Sequence, residues 1–169
     1  MARKAKRVHS FECSPKTFNY LCANLALRGL HDVVTPYNVA LGASCGKTPY
    51  YIRSTDGGGN GCTAFQKDRQ ADTPSIQLPI RTLDSYGFTG VNFIKLDVEG
   101  HEQQVIEGGK KMLEENDWPT ILFESWTPDM EQQGIPAIKL RKDLFETIEA
   151  LEYKIRSIHG YSQMFIASR

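Results

Sequence analysis

Hydrophobic residues are distributed along the chain in short runs that suit β-strands and in longer stretches with the three-to-four-residue spacing of helices. The first helix has a recognisable start, because Ser14 is a suitable N-cap and Pro15 suits the first helical position. Apolar residues recur at helical spacing in residues 16–30, 101–115 and 138–151. Strand-type runs occupy residues 8–13, 31–41, 76–83, 91–98, 120–125, 153–158 and 164–168. The pattern predicts strands and helices in alternation.

A glycine-rich segment interrupts this alternation. Residues 43–76 contain Gly57-Gly58-Gly59-Asn60-Gly61, with 50–52 before it and 63–65 after it as apolar flanks. This arrangement predicts a hairpin with a flexible tip. The remaining alternation predicts the α/β class, with a mostly parallel sheet, helices on both of its faces and an antiparallel hairpin at the C-terminus. Because no repeat or linker divides the chain, we expect one domain over residues 1–169.

Composition narrows the classes of partner. The 169 residues carry 20 Lys plus Arg and 20 Asp plus Glu, so no strong field favours nucleic acid or an anionic membrane. No apolar run approaches the length of a membrane span, and the basic start, MARKAKR, is predicted to be a helix end or short tail. The sequence therefore predicts a soluble, cytoplasmic protein. The four cysteines form no CxxC pair, which favours free thiols over structural zinc.

Polar residues at the ends of the predicted strands are the first candidates for a site, since ligands of open α/β sheets bind beyond the carboxyl ends of strands. Glu12 ends the first strand and could accept hydrogen bonds from the two hydroxyls of a ribose, or be a solvated loop carboxylate. The side-chain amide of Asn38 and the backbone of residues 39–41 could contact a purine ring. Asn38 could equally bond a neighbouring backbone group in a turn.

The densest group of ionisable residues follows the strand at 91–98. Asp97 and Glu99 should lie on one side of an extended chain, so each is expected to raise the pKa of the other, which suits general-base chemistry. His101 and Glu102 begin the next helix, and Glu102 is predicted chiefly to complement the helix dipole.

The strand at 120–125 ends in Glu124, which should face the same crevice as Asp97. Two carboxylates with a histidine nearby could chelate a divalent cation or bind sugar hydroxyls, and we favour the arrangement without metal. Trp126 could stack on a sugar ring or seal the edge of the sheet.

At these residues the chain resembles the FkbM family of S-adenosylmethionine-dependent methyltransferases. The resemblance rests on ordered motifs over nearly residues 8–168. In chain order these are VHSFECSP, YNVALG, RTLDSY, FIKLDVEGHE, EGGKKML and ILFESW. The resemblance implies a Rossmann-like sheet and S-adenosyl-L-methionine as the cofactor.

The resemblance also implies roles for individual residues. Glu12 would bind the ribose and Cys13 would also belong to the cofactor site. Residues 38–41, with Asn38, Val39 and Ala40 as the cofactor-binding candidates, would approach the adenine, and Asp97 would lie between cofactor and acceptor. The groups available to deprotonate an acceptor hydroxyl are Asp97, Glu99, His101 and Glu124. The implied reaction is O-methylation of a sugar or similar small molecule. The alternatives are a non-catalytic remnant that binds a carbohydrate or a protein partner, and a nucleotide-sugar binding or transferase domain.

Two departures from the family pattern stand out. Cys13 replaces a usual proline, and the family's opening strand and Gly-rich turn are absent before Val8. By the resemblance, that strand would lie between the strands that end at Glu12 and Asp97. We expect those two strands to close directly against each other. The alternatives are a fragment, and a homo-oligomer or partner chain that completes the sheet.

Overall fold

A computed structural model of the chain describes residues 5–53, 60–62 and 73–169. It is a mixed α/β structure, as predicted, with three groups of strands joined by parallel and antiparallel pairing. The strands are β1 (Val8–Phe11), β2 (Val34–Tyr37), β3 (Ala40–Leu41), β4 (Gly46–Tyr51), β5 (Ser75–Arg81), β6 (Phe93–Leu96), β7 (Thr120–Glu124), β8 (Lys154–Ser157) and β9 (Met164–Ser168). The helices are α1 (Pro15–Leu27), α2 (Glu102–Glu107), α3 (Lys110–Glu115) and α4 (Ala137–Glu149), with 3-10 turns at Leu83–Tyr86 and Pro128–Gln133.

The described strands form three sheets with six ladders, three parallel and three antiparallel. Parallel pairs join β1 to β2, β3 to β5 and β6 to β7. Antiparallel pairs join β4 to β5, β7 to β9 and β8 to β9, so the predicted C-terminal hairpin is confirmed. The predicted strand at 31–41 is two strands, because residues 38 and 39 interrupt the pairing.

The glycine-rich segment also forms a hairpin, but its second arm is β5, while residues 63–65 and Gly57–Gly59 of the predicted tip lie outside the described residues. Residues 1–4 of the basic start lie outside them as well. The next three residues, 5–7, are not helical, so a helix end is not found in the described part of that segment.

Local sequence explains the helix boundaries. Ser14 caps α1 as predicted, its hydroxyl oxygen accepting the N–H of Thr17 at 3.3 Å. The predicted single helix at 101–115 is two helices, interrupted at Gly108 and Gly109. Asp84 supports the start of α3, because its carboxylate accepts the N–H of Met112 at 2.8 Å.

The main core lies between the β6–β9 sheet and the helices that follow β6 and β7. Its fully buried side chains include Val105, Ile106, Leu113, Ile121, Phe123 and Ile148. Burial of such side chains contributes roughly 1.5–3 kcal/mol each. Because β6 and β7 carry part of this core, the loops after these two strands are held in fixed positions. Of the predicted site residues, Asp97, Glu99 and His101 lie on the loop after β6, and Glu124 is the last residue of β7.

Direct closure between β1 and β6 is not found. Among the described strands, β1 pairs with β2 and β6 with β7, which leaves one edge of each without a partner strand. Side chains make the contact instead: His9 on β1 stacks on Phe88, five residues before β6, with ring centroids 4.0 Å apart. Phe11 meets the same ring edge-on at 6.2 Å. We call this ring-filled junction the β1–β6 seam.

Candidate active site

A cavity of about 300 Å³ opens at the carboxyl ends of β1, β3 and β6, where the α/β topology predicts a ligand site. It brings together seven of the nine predicted site residues. These are Glu12, Cys13, Val39, Ala40, Asp97, Glu99 and His101. The two that do not line it are Asn38 and Glu124. We refer to it below as the strand-end cavity.

Glu12 is positioned by the backbone around the end of β1. Its N–H donates to the carbonyl of Tyr37 at 3.0 Å, which continues the pairing of β1 with β2. One carboxylate oxygen accepts the N–H of Ser14 at 2.7 Å. Burial raises the pKa of Glu12, and the bond from Ser14 opposes that rise. Glu12 is therefore a half-buried acceptor in the cavity wall, which is the environment that ribose hydroxyls require.

Asn38 has a different position from the one predicted. Its side-chain amide donates to the backbone carbonyls of Glu12 at 2.8 Å and Cys13 at 3.2 Å. It is exposed and does not line the cavity, so direct contact with an adenine is not supported by its placement. The amide ties the end of β2 to the end of β1, and it therefore positions the residues that form the wall.

The segment after β6 is turned back on itself. Glu99 has a φ of 55° and Gly100 a φ of 84°, both in the left-handed region. The expected alternation of Asp97 and Glu99 along an extended chain is therefore wrong, because the strand ends at Leu96. Glu102 is buried and its carboxylate accepts the N–H of Val98 at 3.0 Å, which holds this turn closed. Its role is structural, as its position at a helix start predicted.

Asp97 is paired with Glu124 instead of Glu99. Leu96 and Phe123 are partners in the parallel register of β6 and β7, so the next residues along both strands meet. Burial raises the pKa of Glu124 to about 7, and its hydrogen bond to Asp97 and the charges of Asp97, Glu99 and Glu102 add to this rise. A carboxyl group with this pKa changes protonation near neutral pH.

The pKa of Asp97 is lowered, contrary to expectation. Burial alone would raise it, but hydrogen bonds from Lys95 and Glu124 outweigh burial. The Lys95 ammonium lies 2.6 Å from a carboxylate oxygen of Asp97. Asp97 thus faces the cavity as an ionised carboxylate, with Glu124 behind it as the group that carries the proton at slightly acidic pH. Two interacting carboxyl groups with separated pKa values are suited to acid-base chemistry.

His101 closes the inner end of the cavity. Burial lowers its pKa, so the imidazole is neutral at pH 7. It packs beside Gly42, where an added Cβ would come within 3.1 Å of the Nε2 atom and within 2.5 Å of the Ile80 side chain. The glycine that ends the YNVALG motif therefore lies in close packing beside His101 and Ile80 at the site.

A second, narrow pocket lies behind Glu99 and is lined by Glu124 and Trp126. Its room is about 10 Å³, which is no more than a single water molecule requires. The indole of Trp126 covers Gly100, where an added Cβ would lie 2.9 Å from the ring. Trp126 also packs on the small apolar cluster formed by Ile135 and Ala137. This packing supports the sealing role of Trp126 over a stacking platform for a sugar.

Sequence reasoning missed one wall of the strand-end cavity. Tyr50 on β4, Asn60, Gly61 and Cys62 form this wall. Gly61 pairs with Tyr51 through an isolated bridge, with N···O distances of 2.9 and 3.3 Å. The glycine run predicted only a tip, because nothing local to these residues indicates which strand ends they approach. The signal for this wall was the hairpin formed by β4 and β5, because β5 also pairs with β3 and so brings the hairpin to the cavity.

The charge of the cavity wall is one-sided. Among its described lining residues, Glu12, Asp97 and Glu99 are carboxylates and none is Lys or Arg. Lys95 offsets the charge of Asp97, and the remaining negative charge of the described wall attracts cationic groups more than phosphates. Within the described ranges, no three or more His, Cys, Asp or Glu side chains are grouped so that they could hold a metal ion. Across the same ranges, no helix combines the length and apolar character needed to cross a bilayer.

The described geometry fits a protein family that also matches the sequence. A profile of the methyltransferase FkbM domain matches residues 1–161. The chain belongs to the FkbM methyltransferase family. A comparison with curated proteins gave no significant match.

The fold of this FkbM family member is similar to a solved structure, the crystal structure of methyltransferase FkbM from Methylobacillus flagellatus. The TM-score is 0.57 at 14% sequence identity, and the match covers 96% of this chain. At that identity the likeness shows the fold alone. The chain spans about a third of the length of that protein, the aligned share being 36%.

Proposed function

We propose that the chain is an S-adenosylmethionine-dependent O-methyltransferase that acts on a hydroxyl of a sugar or similar small molecule. Family membership supports methyl transfer in general. The observation that carries the finer proposal is the acidic strand-end cavity with the Asp97–Glu124 pair at its inner side. The narrow pocket lined by Glu124 and Trp126 has room for only about 10 Å³ and cannot hold a nucleoside.

The cavity suits the cofactor in charge and in kind. S-adenosylmethionine carries a sulfonium, an ammonium and a carboxylate group, so its net charge is positive, and the three carboxylates of the wall are complementary to that net charge. Glu12 would hold the ribose hydroxyls, and the backbone and side chains of Val39 and Ala40 would form the apolar surface beside the purine. Bound there, the cofactor would supply an electrophilic methyl group on sulfur.

The same charge argues against a nucleotide-sugar ligand. A diphosphate needs Lys or Arg side chains or a helix N-terminus with free N–H groups. The described lining of the cavity offers carboxylates in place of cations. We therefore rank the nucleotide-sugar domain below the methyltransferase.

An acceptor hydroxyl must lose its proton as it is methylated, since its own pKa lies far above 7. The Asp97–Glu124 pair accepts one proton near neutral pH, with Asp97 as the member that faces the cavity. Lys95 orients Asp97 through its 2.6 Å contact. His101, neutral at pH 7, is the further acceptor in the wall. We assign the deprotonation to the carboxylate pair and leave Glu99 as a contributor of negative charge.

One structural observation favours a second candidate, a non-catalytic module that binds a carbohydrate or a protein partner. The edges of β1 and β6 that have no partner among the described strands are surfaces on which another strand can pair. This candidate predicts no affinity for S-adenosylmethionine.

Calorimetric titration of the purified chain separates the candidates. We expect S-adenosylmethionine to bind and a nucleoside diphosphate sugar not to bind. Glu12→Gln should lower the affinity for S-adenosylmethionine at least about tenfold, because a neutral amide is a poorer acceptor for two hydroxyls than a carboxylate. The matched control is Glu114→Gln, an exposed residue on α3 away from the cavity. No binding at millimolar S-adenosylmethionine would defeat the methyltransferase proposal for this chain.

A further inference from the structure

Two of the four cysteines line the strand-end cavity on opposite segments. Cys13 follows β1, and Cys62 follows the Gly61 bridge to β4. Both are half-buried and both are thiols in this structure. Cys22 lies on α1 and Cys45 is exposed beside Thr82, and neither lines the cavity. The cavity therefore holds one pair of thiols that are far apart in sequence and close in space.

Each thiol is held by its own backbone anchor. The carbonyl of Cys13 accepts the amide of Asn38 at 3.2 Å. On the other side, the N–H of Arg53 donates to the side-chain oxygen of Asn60 at 2.6 Å, and Gly61 lies against Glu99, where an added Cβ would be 3.2 Å from the Glu99 Cβ. The two thiols thus approach each other from separately fixed segments. The two thiols interact by a side-chain hydrogen bond in the cavity wall, and a disulfide would join these two sulfur atoms.

The two sulfurs differ in chemical character. Interaction with the Cys13 thiol lowers the pKa of Cys62 against the effect of burial, and the Thr48 hydroxyl and the Arg53 guanidinium act in the same direction. The interaction with Cys62, together with burial and the Glu12 charge, raises the pKa of Cys13. The Arg53 guanidinium and the Thr48 hydroxyl act on Cys62 and the Glu12 carboxylate acts on Cys13, so these neighbours outside the pair make Cys62 the nucleophile and Cys13 the resolving thiol.

We propose that Cys13 and Cys62 are an oxidisable dithiol, a modification site that reacts with a low-molecular-weight disulfide to form an intramolecular disulfide across the cavity wall. The Cys62 thiolate attacks one sulfur of glutathione disulfide, which forms a mixed disulfide and releases one glutathione thiolate. Cys13 then loses its proton and attacks the Cys62 sulfur, releasing the second glutathione thiolate. The protein loses two electrons and two protons, and the two glutathione molecules gain them.

The bond would join the segments that carry Glu12 and Gly61, on both sides of the cavity. We expect the disulfide form to bind S-adenosylmethionine at least tenfold more weakly than the dithiol form, with recovery after dithiothreitol. This effect on binding rests on the proposed function, while the thiol chemistry stands on the described geometry.

Trypsin places the four cysteines in four separate peptides, at residues 8–16, 17–28, 29–47 and 54–67. The chain is incubated with glutathione disulfide, alkylated and digested, and the linked peptides are measured by mass spectrometry. We expect the 8–16 and 54–67 pair from monomeric protein, in at least tenfold excess over any other pair. Comparable linkage to Cys22 or Cys45, or linkage only between two chains, would overturn the dithiol.

Variants test the order of the steps. In Cys13→Ser the reaction should stop at glutathionylated Cys62, and in Cys62→Ser the Cys13 thiol should stay largely unmodified. The controls Cys22→Ser and Cys45→Ser should form the disulfide as the native chain does. Equal glutathionylation of Cys13 and Cys62 in the single variants would overturn the assigned nucleophile. Calorimetry on both redox forms completes the test. Equal affinities of the two redox forms for S-adenosylmethionine would overturn the effect on binding. No affinity in the reduced form would overturn the proposed function. The linked peptide pair alone tests whether the dithiol forms a disulfide.

Discussion

Glu124 is hydrogen-bonded to Asp97 across the neighbouring ends of β7 and β6. The pair combines one carboxyl whose pKa is lowered with another whose pKa is raised to about 7. The separation arises because Lys95 stabilises the charge of Asp97, whereas burial and three nearby carboxylates disfavour the charge of Glu124.

The raised pKa of Glu124 predicts a pH dependence of stability. A carboxyl whose folded pKa exceeds its unfolded value binds more protons in the folded state, so stability falls as pH rises between about 4.5 and 7 and is constant above. Glu124→Gln should remove this loss of stability at higher pH. After a discount for partial exposure, we expect the variant to be more stable than the native chain at pH 8 by about 1 kcal/mol.

Urea unfolding at pH 5 and pH 8 measures the difference. The variant and the native chain should differ more at pH 8 than at pH 5. Glu114→Gln, on the exposed side of α3, serves as the control and should show no such change. A Glu124→Gln effect of equal size at both pH values would contradict the raised pKa.

The carboxylate pair predicts a pH dependence of methyl transfer. If the pair accepts the acceptor's proton, the rate should rise about tenfold per pH unit below about 7 and level off above it. Asp97→Asn should reduce the rate at least about 100-fold and leave the fold intact, because Asp97 is half-exposed and its loss creates no cavity.

The rate is measured as transfer of a labelled methyl group from S-adenosylmethionine to a panel of monosaccharides and other hydroxylated acceptors. Circular dichroism checks that Asp97→Asn is folded. Asp129→Asn, on the 3-10 turn at Pro128–Gln133, is the matched control. Retained turnover in Asp97→Asn, or a rate that is constant from pH 5 to pH 8, would remove Asp97 from the mechanism.

The close approach of two glycines predicts a large effect on stability. A Cβ on Gly108 would lie 2.0 Å from the carbonyl oxygen of Gly42, and this oxygen belongs to the backbone and cannot turn away. Gly108→Ala should destabilise the chain by about 2–3 kcal/mol or prevent folding. Lys110→Ala, two residues later and exposed, should change stability by less than about 0.5 kcal/mol. Thermal unfolding compares the two, and a Gly108→Ala midpoint equal to that of Lys110→Ala would contradict the contact.

The two hydrogen bonds of Asn38 predict an indirect effect on ligand binding. Asn38→Ala and Asn38→Asp both remove the amide donor to the Glu12 and Cys13 carbonyls, so both should weaken S-adenosylmethionine binding by a similar factor. Native affinity in Asn38→Ala would show that the tie between β2 and β1 is not needed for the site. Thr35→Ala, an exposed position on β2, is the control.

Sequence patterns predicted the elements well where periodicity and local signals agreed. Ser14 and Pro15 marked the start of α1, and the runs at 120–125 and 164–168 became β7 and β9. The division of the helix at 101–115 was missed because Gly108 and Gly109 are tolerated in a helical pattern. Their requirement arises from packing against residues distant in sequence, such as Gly42 and Leu83.

The sequence predicted most of the residues that form the site, but not which carboxyl groups pair with each other. Strand ends identified Glu12, Asp97 and His101 without any knowledge of the cavity, because parallel topology brings such ends together. The partner of Asp97 was assigned wrongly, since the alternation rule fails once Glu99 adopts a positive φ. The wall at Tyr50 and Cys62 depends on a long-range hairpin, which no local pattern indicates.

The β1–β6 seam has a consequence for motion. Ring contacts such as His9 on Phe88 join β1 to the segment that precedes β6, and no ladder joins β1 to β6 among the described strands. The two sheets can therefore separate locally without loss of a ladder hydrogen bond between these strands. Regions held by few main-chain bonds open at lower free energy than core strands such as β7. The strand-end cavity lies at the carboxyl end of that junction, so breathing of the seam would widen the entrance through which a ligand passes.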